Sequence, residues 1–258
     1  MNIEILYPEF LAYGEAETAI YLERLFPEAV VFRTSYLDPP AFIEQKIDLL
    51  FVGPMAEHHL QQCVESLRPH RTRLREMIDQ GCTLLILNNA IDIFGASLEV
   101  KNGPSADTLD LFPYHTIRDY EKRRSELTLF ASGNIPFVGT ILGFSEYTGN
   151  AGRSLFRAVQ PAQSFNPSSP AGGFREKNAF LLEPAGCIFL MNPPLARALR
   201  HHFFPDDHIY MEREMSYTYQ KNLELMKKNP AMKSAFEAFP PSTWDPKACA
   251  PLFDPTSA

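Results

Sequence analysis

The chain reads as an α/β fold: a mostly parallel central sheet flanked by helices, with added antiparallel strands and a C-terminal helical tail. Three patterns predict it. Apolar, β-branched runs alternate with helix-periodic segments through residues 3–95, as strands joined by crossover helices do. Between residues 115 and 159 the pattern changes to short β-type runs separated by turn residues. Residues 206–229 are helix-periodic, and prolines punctuate the remainder of the chain.

The first strand is IEILYP (3–8), and EAETAIYLERLF (15–26) sets apolar residues at helical spacing. AVVFRT (29–34) is β-branched and aromatic, a second strand. DPPAFIEQ (38–45), with Asp ahead of early prolines, carries a helix-start signature. IDLLFVG (47–53) is a buried strand ended by Gly53. The long stretch 56–81 is helical, broken at Pro69 and capped by Gly81. TLLILN (83–88) is the fourth strand, and such continuous apolar runs fit a parallel sheet covered on both faces, with right-handed crossovers.

HTIRDY, ELTLFA, VGTILGFSEYT and SLFRAV supply the added antiparallel or mixed strands, and QSFNPSSPAGGF (163–174) is a loop. NAFLLEPAGCIFLMNPP (178–194) reads as a hairpin turning near Glu183–Gly186, followed by a helix over LARALRHHFF (195–204). No internal repeat or linker appears. Residues 1–204 are expected to form one domain, with 205–258 a helical extension packed on it.

Composition narrows the function. The 258 residues are 45% hydrophobic and 21% charged, with net charge −7. An acidic chain without a basic stripe disfavours nucleic acid or an anionic membrane as partner; its densest basic run, RPHRTRLRE (68–76), reads as a solvated helix face. No 18-residue apolar run exists, and MNIEILYPEF lacks the basic region of a secretory signal, so the expected location is the cytoplasm. Cys63, Cys82, Cys187 and Cys249 lack metal-type spacing and read as reduced, mostly buried thiols. Neither a metal nor a cofactor is expected.

The stretch LLILNNAIDIFG (84–95) is a strand that turns at Asn88-Asn89 into a short helix ending at Gly95. Such a junction often displays a nucleophile at the carboxyl edge of an α/β sheet, yet no Cys, Ser or Thr stands at its apex. Three further segments, YGEAET, VGPMAE and LMNPPL, are expected at the same edge.

In order and spacing these segments resemble the glutamine amidotransferases of the cobyric acid synthase type, which include the subunit that amidates lipid II. YPEFLAYGEAETAIYL keeps that family's Tyr-Gly-acid core at Tyr13, Gly14 and Glu15, and DLLFVGPM keeps Gly53. NNAIDIFG aligns without a gap on its Cys-Gly-Gly-aromatic-Gln-Leu-Leu-Gly turn, with Asn88 at the cysteine and Asp92 at the glutamine. GFSEYTG (143–149) echoes a further family segment, and MNPPL puts Met191 where the family has its basic histidine. The resemblance spans residues 1–204 and implies a class I amidotransferase-like fold. It also implies a pocket of Tyr13, Glu15, Gly53, Asn88, Asn89, Asp92, Tyr147, Met191 and Asn192.

The departures have chemical consequences. Family members use a thiolate to attack the glutamine amide and a histidine to move the proton. An asparagine amide nitrogen is not nucleophilic, a thioether takes no proton near neutral pH, and Pro54 brings no N–H to the oxyanion loop beside Gly53. Glutaminase activity is therefore not expected, and the first reading is a binding or scaffolding subunit for a synthetase or ligase partner. The second is replaced chemistry on an amide or amino-acid substrate, through a Cys187–His58 dyad or through carboxylates among Glu15, Glu57 and Asp92. The third is a sensor of glutamine or a peptide. Bland roles compete throughout: Glu15 and Glu57 suit helix N-termini, Cys187 suits a core strand, and His59, His201 and His202 suit solvated helix faces.

Overall fold

The computed structural model describes residues 1–149, 154–159, 172–206, 208–246 and 251–253. Cys249 and the predicted loop up to Ala171 lie outside them. In chain order the first half runs β1 (Asn2–Leu6), α1 (Glu15–Leu25), β2 (Val30–Thr34), β3 (Leu49–Val52), α2 (Glu57–Leu67), α3 (Arg71–Asp79) and β4 (Thr83–Leu87). The middle consists of strands: β5 (Ser97–Val100), β6 (His115–Arg118), β7 (Arg124–Ser132), β8 (Ile135–Gly143), β9 (Ser145–Thr148) and β10 (Arg157–Ala158). Then come β11 (Gly173–Glu176), β12 (Ala179–Leu182), β13 (Pro184–Ala185), α4 (Ile188–Met191), α5 (Pro193–Phe203), α6 (Glu212–Lys228) and α7 (Lys233–Ala238).

The central sheet has the order β11-β12-β4-β3-β1-β2. Every pairing in it is parallel except β11 with β12 at the edge. Its apolar runs alternate between two faces, as the two-residue period of a strand requires. Leu49, Phe51, Leu85 and Leu87 pack with Leu22 and Leu25 of α1 and Leu195 and Leu199 of α5. Leu50, Val52, Leu84 and Ile86 pack with Leu60, Val64 and Leu67 of α2 and with Leu74, Met77 and Ile78 of α3. Each such side chain removed from water contributes about 1.5–3 kcal/mol, which is why these uninterrupted runs fold as central strands.

Two smaller sheets flank the carboxyl edge, β10-β7-β8-β13 and β5-β6-β9. On the first sits α6, whose Tyr219, Leu223 and Met226 pack with Leu129, Ala131 and Val138.

Two expectations require correction, and the expected break at Pro69 is observed. DPPAFIEQ makes only a 3-10 turn, Ala41–Ile43. The buried Glu4 carboxylate accepts the Ala41 and Phe42 N–H groups, at 2.6 and 2.9 Å, and holds the segment against β1 instead of letting a helix propagate. The stretch 56–81 is two helices joined by a 3-10 turn at Arg68–His70, because Pro69 cannot continue the ladder. The hairpin predicted over 178–194 does not form. Its first arm, β12, lies parallel to β4; the chain then pairs briefly with β8 through β13 and turns at Gly186 and Cys187 into α4. An apolar run as short as CIFLM carries no period of its own, so it is free to be helical.

Candidate functional site

The turn after β4 keeps the geometry of a displayed residue. Asn88 has φ 51°, left-handed backbone that only Gly, Asn and Asp adopt readily, and a 3-10 helix (Asn88–Ile93) starts there. Its side chain faces inward. The amide nitrogen donates to the Leu142 carbonyl at 2.7 Å and to the Glu183 carbonyl at 2.8 Å, so the group at the apex ties β4 to the ends of β8 and β12.

Neighbouring loops are stitched to this turn. Asn89 donates to the Met55 carbonyl (2.7 Å) and accepts the Met55 N–H (3.1 Å), fixing the loop of Gly53 and Pro54. Pro54 in turn accepts the Ala12 N–H at 2.9 Å, which draws in the Tyr13 loop. A Cβ at Gly53 would stand 2.4 Å from Leu11 Cδ2, so a larger residue here would force the Leu11 side chain to shift. The buried Glu15 carboxylate accepts the N–H groups of Gly186 and Cys187, at 2.7 and 3.2 Å. Burial still holds its pKa above the ordinary carboxylate value.

Behind Asn88 lies a buried charged cluster of which the sequence points to Asp92 and Tyr147 but not to Arg118, Arg124, Ser145 or Glu183. Asp92 accepts from Arg118 (2.5 Å) and from the Ser145 hydroxyl (2.7 Å). Arg124 pairs with Glu183 at 3.3 Å and donates to the Ser145 carbonyl. The Tyr147 hydroxyl donates to the Asn88 carbonyl at 3.3 Å. Burial pushes the Glu183 carboxyl up to about 7 even though Arg124 opposes it. Asn88 Oδ1, Asp92 Oδ1, Arg124 Nε and Glu183 Oε1 are buried without a hydrogen-bond partner among the described residues. In the sequence Glu183 reads as a turn residue and Arg124 as part of a charged run. One signal is present there, a lone acid directly after the buried run AFLL.

The expected residues thus divide. Asn88, Asn89, Asp92 and Tyr147 share the elbow and its cluster. Gly53 and Pro54 adjoin it through Met55, and Tyr13 adjoins them, 38% exposed, its phenol pKa raised by burial and then by the Glu57 carboxylate. Glu57, Asp92 and Arg118 line one cavity of about 30 Å³, the size of a single water. Asn192 is consumed structurally: it accepts the Val138 N–H and donates to the Val138 and Ile188 carbonyls, all at 2.8 Å. Met191 lies on α4 and packs with the cluster under α6. Cys187 and His58 have separate partners, the thiol donating to the Gly14 carbonyl at 2.8 Å and the imidazole packing edge-on against His59. Among the described residues no three His, Cys, Asp or Glu groups are arranged to hold a metal ion, and no helix is long and apolar enough to cross a membrane.

No family model matches the chain, and no curated protein matches it. Solved structures do. A glutamine amidotransferase crystal structure superposes with a TM-score of 0.51 at 14% identity, over 71% of this chain and 90% of that one. A glutamine amidotransferase from Thermotoga maritima gives a TM-score of 0.47 at 10% identity, over 93% of this chain and 97% of that one. The chain shares the fold of the first of these structures.

Proposed function

We propose that this protein is an amidotransferase-fold subunit without glutaminase activity, which binds or scaffolds in concert with a synthetase or ligase. The observation that carries the reading is the Asn88 amide, spent on two backbone carbonyls at the position where a displayed nucleophile would stand. A residue used as an internal tie is neither presented to a substrate nor able to attack one. Met191, aligned with the family's basic histidine, packs under α6 and carries no titratable group. The partner class rests on the resemblance of residues 1–204 to the amidotransferase subunit that works beside a Mur-ligase-like synthetase.

A second reading has one observation behind it. Glu183, poised near neutrality beside Arg124, is the kind of carboxyl that acid/base chemistry uses. The two readings separate in one assay. Purified full-length protein is incubated with glutamine and free ammonia is measured, alone and with a co-expressed synthetase. Background-level ammonia and co-elution with the synthetase support the first reading. Ammonia release abolished by Glu183→Gln or Cys187→Ser would replace it with the second.

A further inference from the structure

Met55, His59 and Cys63 recur every fourth residue, and the last two lie on α2 (Glu57–Leu67). Residues four apart on a helix share a face, and helical side chains lean toward the amino terminus, so the Cys63 thiol leans toward His59. The fold brings in the third member from the loop after β3: Met55 Sδ stands 3.2 Å from Cys63 Sγ, with both side chains fully buried. That loop is held in place, because the Met55 N–H and carbonyl are both bonded to the Asn89 amide. The His59 ring stacks on Phe10 with centroids 3.9 Å apart. Its Nδ1 is buried with no hydrogen-bond partner among the described residues.

Thiol, thioether and imidazole are the donors that soft metal ions prefer. The third donor here is a thioether, not a further imidazole, thiol or carboxylate. Charge balance narrows the ion. Burial pushes the Cys63 thiol up to about 12, with Glu9 adding to the rise, so without a metal the sulfur keeps its proton. Burial and then the neighbouring His58 lower the His59 pKa, so the imidazole is neutral, as a ligand must be. A monovalent ion that replaces the thiol proton leaves the site uncharged. A divalent ion would leave a net positive charge in an apolar interior, which is unfavourable.

We propose that Met55, His59 and Cys63 form a binding site for copper(I), with thioether, imidazole and thiolate as its ligands. A copper–sulfur bond forms at Cys63 as the S–H bond breaks and its proton leaves to solvent, and no electron is transferred. Two sulfurs bound at about 2.3 Å to one trigonal ion stand about 4 Å apart, so the contact opens by about 0.8 Å, which the rotatable Met55 chain can supply. His58 marks the entry: it is exposed, and its ring lies 3.9 Å from that of His59. The site uses no group of the elbow cluster, so it holds whether or not the elbow is catalytically silent.

The test mixes reduced full-length protein, under nitrogen, with copper(I) held by bicinchoninate and follows loss of the coloured complex. The protein should withdraw copper, and X-ray absorption at the copper edge should read sulfur and nitrogen neighbours together. Cys63→Ser should weaken uptake by at least about 100-fold, and the volume-conserving Met55→Leu and the half-exposed His59→Phe by about tenfold each. Melting curves select the variants that remain folded, and Met55→Leu conserves the core volume. Excess zinc should not displace the copper. No uptake by the unmodified protein, uptake undiminished in folded Cys63→Ser or Met55→Leu, or displacement by zinc would each overturn the assignment.

Discussion

Two strand-to-helix turns at the same sheet edge invite comparison: Asn88 after β4, and Cys187 after β12 and β13. Both hold a non-glycine residue in left-handed backbone, φ 51° and 59°, and both lead directly into a helical turn. They differ in what surrounds them. Asn88 stands directly after a buried parallel strand and turns its amide inward onto two carbonyls. Cys187 has a nucleophilic atom but sits among acids. Burial pushes its thiol up to about 11, with Glu15 and then Glu17 adding to the rise. A reactive cysteine needs a cation or a base beside it, and this one has carboxylates. Backbone geometry places a residue, and neighbouring charge decides whether it reacts; here both turns have the geometry, and neither sets a nucleophile beside a cation or base.

The sharpest way to break that comparison is to move the thiol. Asn88→Cys should release ammonia from glutamine no faster than the unmodified protein, at least about 10³-fold below a working amidotransferase, because no base accompanies it. The triple variant Asn88→Cys, Met191→His, Pro54→Gly should stay silent as well, since position 191 lies on α4 beneath α6. A coupled ammonia assay checks both, and turnover by the single variant would mean that the surroundings of the turn matter less than its geometry.

Next in size is the cost of untying the elbow. Asn88→Ala strands the Leu142 and Glu183 carbonyls and puts a Cβ residue without a compensating hydrogen bond at positive φ, for an expected loss of about 2–4 kcal/mol in urea unfolding. Asn88→Gly relieves the backbone but not the carbonyls, so it should recover only about 1 kcal/mol of that loss. Full recovery by glycine would make the amide bonds incidental.

The buried cluster should show itself in pH. A carboxyl raised from 4.5 to about 7 binds its proton more tightly in the folded state. Its contribution to stability is therefore complete below 4.5 and lost as pH rises through about 7. Unfolding free energy should fall across this window by on the order of 3 kcal/mol, and Glu183→Gln should flatten the fall. An unchanged slope in that variant would assign the titration to another group.

The smallest effect concerns the second turn. Alkylation of Cys187 by iodoacetamide should be slow at neutral pH and should climb toward about 11, the range in which its thiolate appears. Glu15→Gln, which removes the nearest charge but keeps an acceptor for the Gly186 and Cys187 N–H groups, should quicken it by about threefold to tenfold at fixed pH. Peptide mapping locates the label. A Cys187 already fast at neutral pH would erase the contrast between the turns.

Much of the fold is legible residue by residue. Leu49–Val52 and Thr83–Leu87 are apolar at nearly every position, which suits a strand covered on both faces. The elbow is legible too, from a buried strand running into Asn88-Asn89 and a helix-period stretch. Glu183 and Arg124 are not, because a charged residue's burial depends on a partner 59 positions away in the chain. CIFLM misleads for a related reason, since five apolar residues fit a strand and a helix equally well.

What the sequence determined by itself is what rests on local chemistry and period: the alternation of elements over residues 3–95, the break at Pro69, and the Asn-Asn turn at the end of a buried strand. What only the tertiary structure decided is where side chains spend their polar groups. Nothing local requires Asn88 to turn inward, Asp92 to meet Arg118, or the Met55 thioether to meet the Cys63 thiol. Those outcomes depend on which distant carbonyls, charges and rings the packed sheet brings within hydrogen-bond range. Hydrogen bonds and ion pairs act over a few ångströms of space, and one-dimensional spacing does not report that distance.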